Sequence, residues 1–139
     1  MTATNPREFC RETGYSKAIL FTYSFDPLFF ENLVLRDLWK GGVSNISVIA
    51  DKHEVESGIE HCVGRVRHLG NTYQLGVGNR STFHPKLILK IGPNGGKLWL
   101  GSGNITQGGW GGNNEVGVVF ELPETELDSA ALANLVIQK

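Results

Sequence analysis

The 139-residue chain contains no Asp or Glu between His61 and Asn114, although it carries 14 acidic residues in all. Nine acids precede this window and five follow it, so the net charge of -1 conceals an uneven distribution. The window holds six cations: Arg65, Arg67, Arg80, Lys86, Lys90 and Lys97. An acid-free basic stretch favours a polyanionic ligand, and the competing interpretation is a chance gap in acids on a solvated surface.

Cysteines and long apolar runs are also scarce. There are two cysteines, Cys10 and Cys62, and no apolar run reaches the length that spans a membrane. The N-terminus lacks the basic-then-apolar pattern of a signal peptide. We therefore expect a soluble cytoplasmic protein with reduced thiols. A disulfide between the two cysteines is compatible with the sequence but not required by it.

The first half of the chain alternates strand and helix signals. The apolar, β-rich run Ala18–Phe25 predicts a buried strand. Asp26 and Pro27 then supply an N-cap and a first helical residue, and the helix should end at Gly41-Gly42. A second strand is predicted over Ile46–Ala50. A strand, a helix and a strand in this order indicate a βαβ unit with parallel pairing.

Strands dominate the second half. After a short helix or loop over His53–Val63, the patterns predict strands within Val63–Val77, at Phe83–Ile91, at Lys97–Ser102 and at Glu115–Leu122, then a helix from near Thr125. The two middle strands are apolar on both faces and should be central in the sheet. The chain is thus expected to be one domain over residues 1–139, of α/β class, with a mixed sheet flanked by helices on both faces.

The two middle strands also carry polar residues at the ends remote from their turn. If Gly92–Gly96 forms a five-residue loop, His84 lies opposite Asn104 and Lys86 lies opposite Ser102. All four side chains would then share one face. A shift of one residue in this register would separate them.

Such a cluster has the chemistry for attack on a phosphodiester. His84 can act as a nucleophile or as an acid–base group near neutral pH. Lys86 can neutralise a phosphate oxygen, and the neighbouring Asn and Ser add neutral donors. Gly101 and Gly103 would let the backbone approach a ligand closely. Glu115, at the start of the next strand, could hold the imidazole in one tautomer.

Two separate elements here resemble the signature of the phospholipase D superfamily. That signature is a His-x-Lys strand followed by a Gly-Ser/Gly-x-Asn turn, and this chain has it at residues 84–86 and 101–104. The downstream stretches 105–109 and 113–115 are similar to those of phospholipase D-like nucleases, including metal-independent restriction endonucleases. The family often has an aspartate five residues after the lysine, where this chain has Ile91. The nuclease branches of the family also lack this aspartate, and its absence here argues against a lipid-cleaving enzyme.

The resemblance implies a role for each motif residue. His84 would attack phosphorus and form a phosphohistidine. Lys86 and Asn104 would bind the non-bridging oxygens, with Ser102 assisting, and Glu115 would orient His84. A second histidine must protonate the leaving oxygen, and the family takes it from a second copy of the motif.

This sequence has one copy of the motif. The resemblance therefore implies either a homodimer that pairs its active sites or a second motif beyond Lys139, the present chain then being the N-terminal part of a longer protein. We expect nucleic acid as the substrate, with DNA favoured over RNA, and Arg65, Arg67 and Arg80 as phosphate contacts. No membrane contact is expected.

No metal or other cofactor is expected. The histidine and cysteine spacings match no standard zinc site, and no acid lies between Glu60 and Glu115 to ligate magnesium near the motif.

Two other interpretations stay open at this stage, and a third lacks support. The chain could be a non-cleaving module that grips nucleic-acid phosphates, His84 could be a structural histidine, and phospholipid hydrolysis has no supporting apolar segment. Of the tryptophans, Trp99 is expected in the core and Trp110 either in a loop or stacked on a base. Trp39, with Phe29 and Phe30, is expected in the core or on a dimer face.

Overall fold

The structure, a computed structural model, describes residues 2–62, 64–78, 86–102, 104–106 and 117–123. Its strands are β1 (Thr2–Thr4), β2 (Lys17–Thr22), β3 (Asn45–Asp51), β4 (Tyr73–Gly78), β5 (Leu87–Gly92), β6 (Gly95–Leu100) and β7 (Gly117–Pro123). Its helices are α1 (Pro6–Arg11), α2 (Pro27–Phe29), a π-helical segment (Phe30–Val34), α3 (Leu35–Lys40) and α4 (Lys52–Glu60). The described strands form one mixed sheet in the order β1-β7-β6-β5-β2-β3-β4. The predicted α/β class is confirmed.

The parallel unit in the first half of the chain is confirmed. β2 pairs with β3 in parallel, from Lys17 opposite Asn45 to Thr22 opposite Ala50. Between them, α2, the π-helical segment and α3 follow one another without a break, and we call residues 27–40 the central helix. The Asp26 carboxylate accepts from the Phe29 backbone N–H at 3.1 Å and caps this helix. Gly42, at φ +85°, ends it.

The main core lies on one face of the sheet. β5 occupies the middle of the strand order, as predicted, and Ile88 packs with Trp99 and with residues of α1 and α3 in one buried cluster. Trp99 is 1% exposed, which confirms its predicted place in the core. Phe21 and Leu89, on the opposite face, are buried outside this cluster. The final helix predicted from Thr125 lies outside the described residues.

The register predicted for the β5–β6 hairpin is wrong by one residue. Pro93 and Asn94 form a two-residue turn between the paired Gly92 and Gly95, where a five-residue loop was expected. Gly95 has φ +123°, a conformation that favours glycine. Gly101, rather than the predicted Ser102, therefore lies opposite Lys86. Its backbone N–H donates to the Lys86 carbonyl at 3.2 Å.

Two cations of the acid-free window are engaged in holding the fold. Lys90 is 0% exposed, and its Nζ donates to the carbonyl oxygens of Phe9 at 2.7 Å and Glu12 at 2.6 Å, at the end of α1. Lys97 forms an ion pair with the Glu12 carboxylate. The stretch that lacks acids in the sequence therefore still contacts an acidic side chain, Glu12, in the folded chain.

Two further observations concern the cysteines and the helices. Cys10 and Cys62 are both buried and free, and burial raises the pKa of the Cys10 thiol to about 12. Among the described residues, no helix has both the length and the apolar character needed to cross a membrane.

Candidate phosphate-binding site

The motif residues that the structure describes lie at one edge of the sheet. β2 and β3 both end there, because Thr22 opposite Ala50 is their last pair. β5 begins there, since Leu87 pairs with Phe21. Lys86, directly before β5, is half-buried, and Ser102 is exposed. The edge beyond the carboxyl ends of parallel strands is where open α/β sheets commonly bind ligands.

Asn104 is held in one orientation by the end of β2. Its Oδ1 accepts from the backbone N–H groups of Tyr23 at 3.2 Å and Ser24 at 3.1 Å. Because backbone N–H groups only donate, they fix which end of the amide is oxygen. The NH2 group then faces away from them and makes no hydrogen bond within the described part of the chain. The fold thus presents a pre-oriented donor pair at this edge.

The segment that carries Asn104 is tied to the same edge by its backbone. Thr22, which is 0% exposed, donates through its hydroxyl to the Ser24 carbonyl at 2.7 Å and accepts from the Ile105 N–H at 3.0 Å. The Asp26 N–H donates to the Ile105 carbonyl at 3.1 Å. Residues 104–106 are therefore positioned by the junction between β2 and the central helix.

The fold brings an acid to this edge that the sequence argument did not place there. The Ser24 hydroxyl donates to Glu54 Oε1 at 2.7 Å, and the Ser24 N–H is one of the donors to Asn104. Glu54 is thus one carboxylate close to the motif in space, although no acid lies between Glu60 and Glu115 in the sequence. Within the described ranges, no three His, Cys, Asp or Glu side chains form a group that could hold a metal.

Sequence reasoning missed Thr22, Ser24 and Glu54. A signal for two of them was present, because polar residues follow the buried strand directly before the Asp26 cap. The contact of Ser24 with Glu54 joins residues 30 apart and has no local signature.

Gly101 also has a role in packing that the sequence did not indicate. A Cβ at this position would lie 2.1 Å from the Trp99 ring, and one at Gly117 would lie 2.0 Å from the same ring. The absence of a side chain at Gly101 is therefore required by the buried Trp99. Gly103 lies outside the described residues.

The structure brings together only some of the predicted site residues. Lys86, Ser102 and Asn104 lie at the same edge, but the shifted register removes the predicted pairing of Lys86 with Ser102. His84, Arg80, Glu115 and Trp110 lie outside the described residues. Arg65 and Arg67 are exposed and line a separate groove of about 700 Å³ along the central helix. No described residue of the motif lines that groove.

Comparison with solved structures identifies the fold. The chain superposes on the phospholipase D family member Nuc from Salmonella typhimurium with a TM-score of 0.56 and 20% identity, covering 94% of this chain and 80% of that one. For NucT from Helicobacter pylori the TM-score is 0.52 and the identity 15%, with the same coverage of 94% and 80%.

A third match is a mutant of the yeast tyrosyl-DNA phosphodiesterase, with a TM-score of 0.53 and 19% identity over 84% of this chain. The present chain spans only 27% of that protein. Neither the protein-family models nor the curated proteins give a match to the sequence. The structural likeness shows that this chain has the phospholipase D-like fold, as predicted.

Proposed function

We propose that this chain is a metal-independent phosphodiesterase that cleaves nucleic acid through a phosphohistidine intermediate. The observation that carries the proposal is the fixed Asn104 amide, whose NH2 donors are presented at the edge of the sheet where Lys86 enters β5. His84 stands two residues before Lys86 in the sequence. The yeast structural neighbour is by name a DNA phosphodiesterase, which supports a nucleic-acid substrate.

In the proposed reaction, a ring nitrogen of His84 attacks phosphorus while the bond to the leaving oxygen breaks. The leaving oxygen takes a proton from a second histidine. Water then attacks the phosphohistidine, loses its proton to that second histidine and releases His84. Atoms and charge balance without a metal or a redox partner.

The other residues act on charge and orientation. Lys86 supplies a cation, and the Asn104 NH2 group supplies neutral donors to the non-bridging oxygens. Ser102, which is exposed beside them, adds a hydroxyl donor. Glu115 accepts from the other ring nitrogen of His84, fixes its tautomer and stabilises its charged form.

The second histidine comes from a second motif, supplied either by another copy of this chain or by residues beyond Lys139. A two-fold dimer with its sites at the axis would provide it. Mass in solution measured alongside activity tests this part. A strictly monomeric chain of this length that cleaves at full rate would contradict the two-motif mechanism.

The experiment that tests the proposal is cleavage of labelled single- and double-stranded DNA and RNA in EDTA. The wild-type chain should cleave at least one of them, and His84→Ala should lose at least about a thousandfold in rate, since water cannot replace the nucleophile at that position. His61→Ala, which removes an exposed histidine at the end of α4, is the matched control and should keep full rate. A His84→Ala rate within threefold of wild type would remove His84 from the mechanism.

A second candidate is a module that binds nucleic-acid phosphates without cutting them. The arginine-lined groove, which lies apart from the motif residues, favours it. Salt-dependent binding by a wild-type chain that is dimeric in solution, and so has two copies of the motif, yet cleaves none of the four substrates would select this candidate.

A further inference from the structure

The central helix and the loop before β4 enclose a groove that the catalytic motif does not use. Its polar lining includes three arginines, a histidine and an exposed tryptophan: Arg36, Trp39, Arg65, Arg67 and His68. The Trp39 and His68 rings meet edge to face, with their centroids 5.3 Å apart. This groove therefore combines cations with an accessible aromatic surface.

The arginines that line the groove differ in their ion pairing from the arginines of α1. Within the described part of the chain, the guanidinium groups of Arg36, Arg65 and Arg67 form no ion pair. This contrasts with Arg7 and Arg11, which both pair with the buried Asp37 at 2.9 Å. Three guanidinium groups without an ion pair among the described residues surround one groove and favour an anionic ligand there.

Glu31 is the acid that lines the groove, and its carboxylate is already occupied. It accepts from the Arg67 N–H at 2.9 Å, the His68 N–H at 3.2 Å and the Tyr73 hydroxyl at 3.0 Å. Glu31 is 7% exposed, and these three hydrogen bonds hold the loop against the helix.

Trp39 was expected in the core or on a dimer face, and the structure places it outside the core. It is 40% exposed, whereas Trp99 is 1% exposed. A tryptophan beside arginines can stack on a base, and nucleic-acid proteins commonly pair such stacking with phosphate contacts. A base is free to stack in this way when it is unpaired.

One end of the groove is linked to the candidate site through the start of the central helix. Leu28, at one end of it, is two residues after Asp26, which donates to the Ile105 carbonyl in the segment that carries Asn104. From Leu28 to Trp39 the helix rises about 17 Å, the length of about five stacked nucleotides. The groove is thus placed to receive a strand that extends away from the cleaved bond.

We infer that this groove binds an unpaired segment of nucleic acid, with its phosphates on Arg36, Arg65 and Arg67 and one base stacked on Trp39. The inference rests on the proposed function for its substrate and adds the preference for single strands. In this inference, the groove residues bind the nucleic acid, whereas the motif residues cleave it.

The test is binding of a labelled oligothymidine by fluorescence anisotropy in EDTA, with His84→Ala as the common background so that no cleavage intervenes. Trp39→Ala should weaken binding about tenfold or more without changing the salt dependence, and Trp39→Phe should restore much of the affinity. Each of Arg36→Gln, Arg65→Gln and Arg67→Gln should weaken binding and lower the slope of log affinity against log salt by about 0.7. Lys17→Gln, an exposed cation at the start of β2, should change neither.

A blunt-ended DNA duplex of the same length is the second ligand. It should bind more weakly than the single strand and be insensitive to Trp39→Ala. Equal losses on both ligands would overturn the stacking contact. Unchanged affinity in all groove variants, each with a thermal midpoint like that of its parent, would overturn the site. Binding by the groove is measured apart from hydrolysis, so a chain that binds through the groove but never cleaves would refute only the proposed function.

Discussion

The two ends of β5 carry the same residue type in opposite roles. Lys86 precedes the strand at the edge where β2 and β3 end, half-buried near the fixed Asn104 amide. Lys90, four residues later, is fully buried, and its ammonium group is used by two carbonyls at the end of α1. The rings of Phe9 and Tyr15 lie 5.1 and 4.7 Å from its Nζ.

The comparison shows that the groups around each lysine, rather than its residue type or its position along the strand, decide whether it is a candidate phosphate ligand or a structural cation. Alternation along the strand places both lysines toward one face. One meets a polar edge, and the other meets a helix end whose carbonyls lack partners within the helix. The predictions below test this contrast.

The largest expected effect comes from exchanging each lysine for Met. Lys86→Met should lower the rate of nucleic-acid cleavage about 100- to 1000-fold with little change in the free energy of unfolding, because it removes a cation from the phosphate site. Lys90→Met should leave the rate per folded molecule unchanged. Cleavage assays corrected for folded fraction check this, and equal rate losses in both variants would erase the contrast.

Gly101→Ala should lower the free energy of unfolding by about 3 kcal/mol, since its Cβ would overlap the Trp99 ring. Gly76→Ala is the matched control, because a Cβ there would lie 3.7 Å from the Ile49 side chain, an ordinary contact. Urea denaturation compares the two variants. A Gly101→Ala chain as stable as the Gly76→Ala chain would show that Trp99 does not impose the glycine.

Two substitutions at Asn104 distinguish the hydrogen bonds that orient its side chain from hydrogen-bond donation by its NH2 group. Asn104→Asp keeps an acceptor for the Tyr23 and Ser24 N–H groups but loses the NH2 donors, so cleavage should fall about 100-fold while stability is retained. Asn104→Ala should in addition cost about 1–2 kcal/mol of stability, because both N–H groups lose their acceptor. An Asp variant with wild-type activity would exclude the amide donors from the reaction.

Lys90→Met by itself should lower the free energy of unfolding by about 2 kcal/mol at neutral pH, since two carbonyls lose their donor. Chemical denaturation measures this. A variant as stable as the parent would show that the carbonyls find other partners or that the desolvation cost of the ammonium cancels its contacts.

The smallest expected effect is the pH dependence of the difference in unfolding free energy between the parent and Lys90→Met. Burial lowers the pKa of Lys90 to about 8 from an ordinary value of 10.5. Between these values the unfolded chain binds the proton more tightly, so the parent gains stability as pH rises from about 8 toward 10.5, and the variant lacks this gain. The stability gap should widen by about 1 kcal/mol between pH 7 and about pH 8.7. A gap that stays constant or narrows would contradict the lowered pKa.

The sequence predicted the parts of the fold that depend on local signals. The strand before Asp26-Pro27 and the helix end at Gly41-Gly42 follow from capping and periodicity within a few residues. The hairpin register failed because both faces of β5 are apolar, so alternation could not distinguish one register from the next. The burial of Lys90 depends on Phe9, 81 residues away, and no local pattern indicates it.

The candidate site shows the same division. The motif predicted Lys86, Ser102 and Asn104 together at one edge, whereas the amides of Tyr23 and Ser24 that orient Asn104 come from about 80 residues away. Glu54 reaches the edge because α4 starts where β3 ends. Neither contact could be read from residue spacing.

The central claim, covalent catalysis by His84, is tested most directly by trapping. End-labelled oligonucleotide mixed with the chain in EDTA and denatured in neutral SDS should migrate with the protein, because a phosphohistidine joins them until water releases it. The account predicts this adduct with wild type and its absence with His84→Ala. An adduct of equal yield in His84→Ala, or cleavage without any adduct that stops in EDTA, would contradict it.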